Sequence, residues 1–144
     1  MIYKKGRWQA SYKDTFSLDM TLSPIIYAGL SKFHDVLEQK NREGGCLGIP
    51  NEYMKDESKW VTDSDVQDWL DDIKKMMYAF ENKEPDMRLY DFKMFKVNES
   101  GVGYSLGCTN EEEKARYYAD CEEHERLVQE GLNLFSLRYR SLWW

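Results

Sequence analysis

The chain is poor in residues that interrupt, cross-link or ligate: three prolines, nine glycines, three cysteines and two histidines in 144 residues. The cysteines, Cys46, Cys108 and Cys121, are odd in number and form no C-x-x-C pair, which argues against a disulfide framework and for reduced thiols. Together with His34 and His124 they are scattered over most of the chain, which supports a tetrahedral zinc site poorly. No apolar run approaches the roughly 20 residues of a helical membrane span. The amino end, Met1-Ile2-Tyr3-Lys4-Lys5-Gly6-Arg7-Trp8, lacks the apolar stretch of a signal peptide, so a cytoplasmic protein is expected. Phosphate loops are missing too. Gly101-Val102-Gly103 has no third glycine, and Gly44-Gly45 runs into Cys46 rather than Lys-Ser/Thr. Neither a G-x-S-x-G elbow nor an H-E-x-x-H pair occurs.

What the chain does have is apolar bulk and acid. Aromatics make up 15% and hydrophobic residues 42%. That is enough to bury a core in one domain covering 1–144, and it speaks against disorder. Mean hydropathy is −0.75 and net charge −6, with a pI near 5.0. The charge is unevenly spread. Residues 1–13 carry Lys4, Lys5, Arg7 and Lys13 with no acid, whereas 52–72 and 111–130 each carry eight acids. An acidic body disfavours duplex nucleic acid, whose affinity comes from cations on phosphates. It suits a partner with a basic groove, and the candidate surface is Glu122, Glu123 and Glu125 with Asp63 and Asp65. The simpler alternative is a set of solvated helix faces.

Hydrophobic spacing predicts a mainly α fold with three principal helices, at about 23–41, 63–82 and 110–143. The first is expected to open at Ser23-Pro24, proline being harmless in a first turn, with Ile26, Leu30, Phe33 and Leu37 on one face. A long ordered loop over 42–61 follows, anchored by Leu47, Ile49, Tyr53 and Trp60. The second helix follows Thr62 and carries Val66, Trp69, Leu70, Ile73, Met77 and Phe80, ending at Glu84-Pro85. Short aromatic and β-branched runs on either side of Asn98-Glu99-Ser100-Gly101 predict a small hairpin at about 88–107, with an irregular excursion as the alternative. Thr109 and Glu112 have capping-box spacing for the third helix. Its late stripe is Val128, Leu132, Phe135, Tyr139 and Leu142. One continuous helix would reach about 50 Å, so either its acidic first half projects, the favoured reading, or it breaks near Gly131.

Chemistry is harder to find, and no catalytic, cofactor-binding or metal-ligating residue is assigned. Cys121 and His124 stand three apart on one helix face, which is cramped for a nucleophile and its base. Asp120 with His124 and His34 with Glu38 have i,i+4 spacing, but the Glu-x-x-His motif of two-metal bundles does not occur. Exposed helical pairs are the plainer reading. Trp8, Trp60 and Trp69 are expected in the core. Trp143 and Trp144 imply docking onto the domain or an interface, including a homo-oligomeric one. Lys74, Lys75, Arg138 and Arg140, near tyrosines, are the cations available to an anion or nucleotide.

Three segments taken together, Phe16–Ile26, Trp69–Glu81 and Glu130–Trp143, resemble a family of small helical accessory proteins encoded by tailed bacteriophages. The resemblance covers about half the chain and rests on core-type residues, so it implies fold and setting but carries over no catalytic residue. It implies a product made in an infected bacterial cytoplasm. The expected function is a non-enzymatic accessory protein that binds and inhibits or sequesters a host factor. The target would be a component of antiviral defence, either an effector protein or a signalling nucleotide. A virion structural or assembly protein is the alternative. A helical metal-dependent hydrolase using Asp120, His124, His34 and Glu38 comes third.

Overall fold

The computed structural model describes residues 2–45, 48–55, 60–81, 83–98 and 100–142. They form four helices and two small antiparallel hairpins, so the fold is mainly α. The chain divides into two compact units, one of Met1–Asn82 with Leu127–Trp144 and one of Lys83–Arg126.

The first unit opens with strands β1 (Ile2–Lys4) and β2 (Arg7–Gln9), paired Ile2 to Gln9 and Lys4 to Arg7. Lys5 and Gly6 both have positive φ, 54° and 75°, the geometry of a two-residue hairpin turn. Helix α1 (Tyr12–Phe16) follows, its start fixed by reciprocal Ser11 and Asp14 capping. Helix α2 spans Leu18–Arg42, five residues ahead of the expected start at Ser23-Pro24. Pro24 therefore sits in the second turn. Its missing N–H removes one helical hydrogen bond, which is tolerable because Pro24 faces solvent.

Helix α3 (Asp63–Phe80) begins as its sequence requires. Thr62 and Asp65 cap one another, with Thr62 N–H donating to Asp65 Oδ2 at 2.9 Å. The core joins Leu30, Phe33 and Leu37 of α2 to Val66, Trp69, Leu70, Ile73, Met76 and Phe80 of α3. Met76 is fully buried, whereas the expected Met77 is only half-buried. Helices cover α3 on two sides, so its buried arc is wider than one stripe. Ile49 and Tyr53 anchor the connecting segment to the core, as expected, but Trp60 is 95% exposed. Along extended backbone successive side chains point opposite ways. Val61 turns in against the core, so Trp60 turns out. Leu47 and the side chain of Trp8 lie outside the described residues.

Helix α4 (Glu111–Arg138) is continuous through Gly131 and ends in a single 3-10 turn, Tyr139–Ser141, short of the expected limit at 143. It contributes its residues to Arg126 to the second unit and the remainder to the first. In the first unit Leu134, Phe135 and Leu142 pack on the core, Phe135 edge-on to Phe80 at 5.0 Å. Leu132 and Tyr139, expected on the inner stripe, are exposed. The contact face is rotated toward Gly131, where α3 comes closest: a Cβ there would lie 2.3 Å from the Lys75 carbonyl oxygen.

Candidate functional site

In the second unit, Asp86 caps a 3-10 turn at Met87–Leu89 and forks onto Arg88, which holds the Asp86 carboxyl below its usual range. Tyr90 then donates to Asp120 Oδ2 of α4 at 2.6 Å and lies under the Arg116 guanidinium. Tyr117 of α4 packs against Tyr90 and Phe92. Phe92 and Cys108 are the buried apolar residues here, and the Cys108 thiol donates to the Asn110 carbonyl. Thr109 does not cap α4. Its N–H donates to the Lys93 carbonyl at 3.0 Å and its hydroxyl accepts from Lys93 N–H at 2.8 Å. Asn110 Oδ1 takes the cap instead, accepting from Glu113 N–H.

Between Lys93 and Thr109 stands the hairpin of β3 (Phe95–Val97) and β4 (Tyr104–Leu106). Phe95 pairs with Leu106, Lys96 with Ser105 and Val97 with Tyr104. Side chains alternate across a strand, so Phe95, Val97, Tyr104 and Leu106 share one face while Lys96 and Ser105 take the other. That apolar face is uncovered: the four side chains are 56, 61, 76 and 84% exposed. Val102 at the turn and Met87 and Met94 at the base are exposed as well. Beside the face lies a groove of about 710 Å³ lined by Met87, Phe92, Lys93, Met94, Phe95 and Tyr104. Exposed apolar patches of this kind mark binding surfaces. The period-two runs Phe95-x-Val97 and Tyr104-x-Leu106 are visible in the sequence, but periodicity does not tell which face lacks a partner.

The other candidate residues are placed as follows. Glu122, Glu123 and Glu125 are exposed on α4, Glu123 forking onto Arg126. Asp63 is exposed, whereas Asp65 is 2% exposed and committed to Thr62. Trp143 and Trp144 lie outside the described residues. Lys74 pairs with Asp71 at 3.5 Å, and Arg140 is exposed. Lys75 and Arg138 do share one neighbourhood. Lys75 pairs with Glu130 at 3.0 Å and Asp72 at 3.5 Å, Tyr53 donates to Asp72 at 2.5 Å, and Arg138 covers the Tyr53 ring and pairs with Glu52. Three carboxylates against two cations make no positive well for a phosphate.

Burial, helped by Asp72, pushes the Tyr53 hydroxyl from its ordinary 10 up to about 12. The protonated form is the one favoured by folding. Its stabilisation is complete below pH 10 and disappears as the pH climbs from 10 to 12. Urea unfolding between pH 9 and 12 should therefore show a high-pH loss of stability that is shallower in Tyr53→Phe.

His34 Nδ1 lies 3.8 Å from Asp35, and Glu38 pairs with Arg42. Both stand on α2 in the first unit, whereas Asp120 and His124 belong to the second. Among the described residues, no three His, Cys, Asp or Glu side chains group as metal ligands, and no helix is long and apolar enough to cross a membrane. No protein-family model, curated protein or solved structure matches the chain.

Proposed function

We propose that this is a non-enzymatic binding protein that acts by covering a surface of another protein with its uncovered hairpin face. One observation carries the reading: four large apolar side chains on one face of a hairpin, each more than half exposed. Water-exposed apolar surface on this scale is an unfavourable state that a partner relieves. The resemblance to tailed-phage accessory proteins supplies the setting, a bacterial host cytoplasm. The partner is then a host factor that the protein inhibits or sequesters, such as an effector of antiviral defence. In this reading the exposed acids of α4, Glu122, Glu123 and Glu125, serve the rim of the contact rather than its centre. That division fits interfaces generally, in which an apolar centre is ringed by polar groups.

The test is capture from bacterial lysate by the tagged full chain, with the double variant Val97→Glu/Leu106→Glu run in parallel. Both positions are exposed, so the variant should fold normally, as circular dichroism would verify. A stoichiometric host protein held by the wild type and lost from the double variant is the expected result. Equal capture by both proteins would move the site elsewhere. Recovery of the chain from purified particles, with no host partner, would favour the virion reading instead.

A further inference from the structure

Resting on that binding reading, we infer that the partner contributes an extended segment alternating apolar and acidic residues, added as a third strand along the free edge of β3. Among the described residues β3 pairs only with β4, so its outer edge presents unpaired backbone donors and acceptors. An added strand would satisfy them and sort its side chains by alternation, one set on the Phe95 and Val97 face and the other on the Lys96 face. The first set must be apolar. The charge of the second follows from the cations. From Arg88 to Arg126, Arg88 pairs with Asp86, Lys114 with Glu111, Arg116 with Glu113 and Arg126 with Glu123. Lys93 and Lys96 have no acidic partner among the described residues. Lys96 lies on the polar face of β3, its stem against Gly107, and Lys93 borders the groove. Lys96 thus gives the polar face its cation, and the groove beside Phe95, bordered by Lys93, favours the β3 edge over the equally unpaired edge of β4. Met87 and Met94 line the groove with flexible side chains that adapt to the shape of the incoming apolar residues.

The probes are labelled peptides alternating valine with glutamate or valine with lysine, titrated into the full chain by fluorescence anisotropy. The glutamate peptide should bind about tenfold more tightly or better, and Lys93→Glu/Lys96→Glu should reverse that order. Val97→Glu/Leu106→Glu should abolish binding of both. Equal binding of the two peptides, or an order that the charge swap leaves unchanged, overturns the inference while the apolar site stands. If neither peptide binds but Val97→Glu/Leu106→Glu still loses the captured host protein, the inference fails and the binding reading survives. Concentration-dependent dimers that the same double variant removes would make a second copy the occupant. Binding to phosphatidylglycerol vesicles would make it a lipid surface. Either result overturns the strand assignment.

Discussion

Gly131→Ala should destabilise the first unit by about 3 kcal/mol or more, the upper range for overpacking a tight contact. A Cβ at this position would stand 2.3 Å from the Lys75 carbonyl oxygen and 2.8 Å from the Ala79 Cβ. The nearer obstacle is helix backbone, which cannot step aside as a flexible side chain would, so α3 and the end of α4 must separate. Separation loosens Phe80 against Phe135 and uncovers part of the Ile73 and Met76 layer. Intrinsic propensity pulls the other way, since alanine gains about 1 kcal/mol over glycine inside a helix. Gly29 isolates that opposing effect. It lies exposed within α2 with nothing within 4 Å of its missing Cβ, so Gly29→Ala should stabilise by about 0.5–1 kcal/mol. Urea unfolding of the two variants should therefore move in opposite directions; parallel shifts would refute close packing at Gly131.

Trp69→Ala is the second large effect, at about 3–5 kcal/mol. The indole is fully buried, 6.4 Å edge-on to Phe33 and 5.0 Å from the Tyr53 ring, and it joins α2, α3 and the segment before α3. Removing it opens a cavity that rings on both sides cannot fill without leaving their own contacts. Trp69→Phe should cost less, about 1–2 kcal/mol, because it retains most of the apolar volume. It also discards an indole N–H that has no acceptor among the described residues. The order wild type, phenylalanine, alanine in urea midpoint is the expected result. An alanine variant no less stable than the phenylalanine one would show that the site collapses freely.

Local rules carried the reading of α3 well. Thr62 and Asp65 fix its start, and the apolar positions from Val66 to Phe80 fix its inner side. Those signals lie within one or two turns and need no partner to act. The failures share a different cause. Pro24 marks a helix start only if no helix precedes it, and α2 had already begun at Leu18. Thr109 has ideal capping spacing, yet Lys93, sixteen residues away, holds both its N–H and its hydroxyl. Gly131 is a different case: the helix runs through it, as the favoured reading has it, and only α3 beside it shows why the residue is glycine. The site followed the same pattern. The strands and turn of the hairpin were legible, but its exposure was not. That depends on what the rest of the chain fails to put over it.

The pairing of Lys93 with Thr109 also has an evolutionary consequence. It closes the base of the hairpin, and a further bond from Gly107 N–H to the Met94 carbonyl sits just above. The segment between leaves and re-enters the unit at nearly the same point, so its length and content can drift while the entry to α4 stays fixed. Such a segment is a cassette. Descendants of one scaffold could exchange the residues from 95 to 106 to meet different targets, leaving the helices that hold the clip as the shared inheritance.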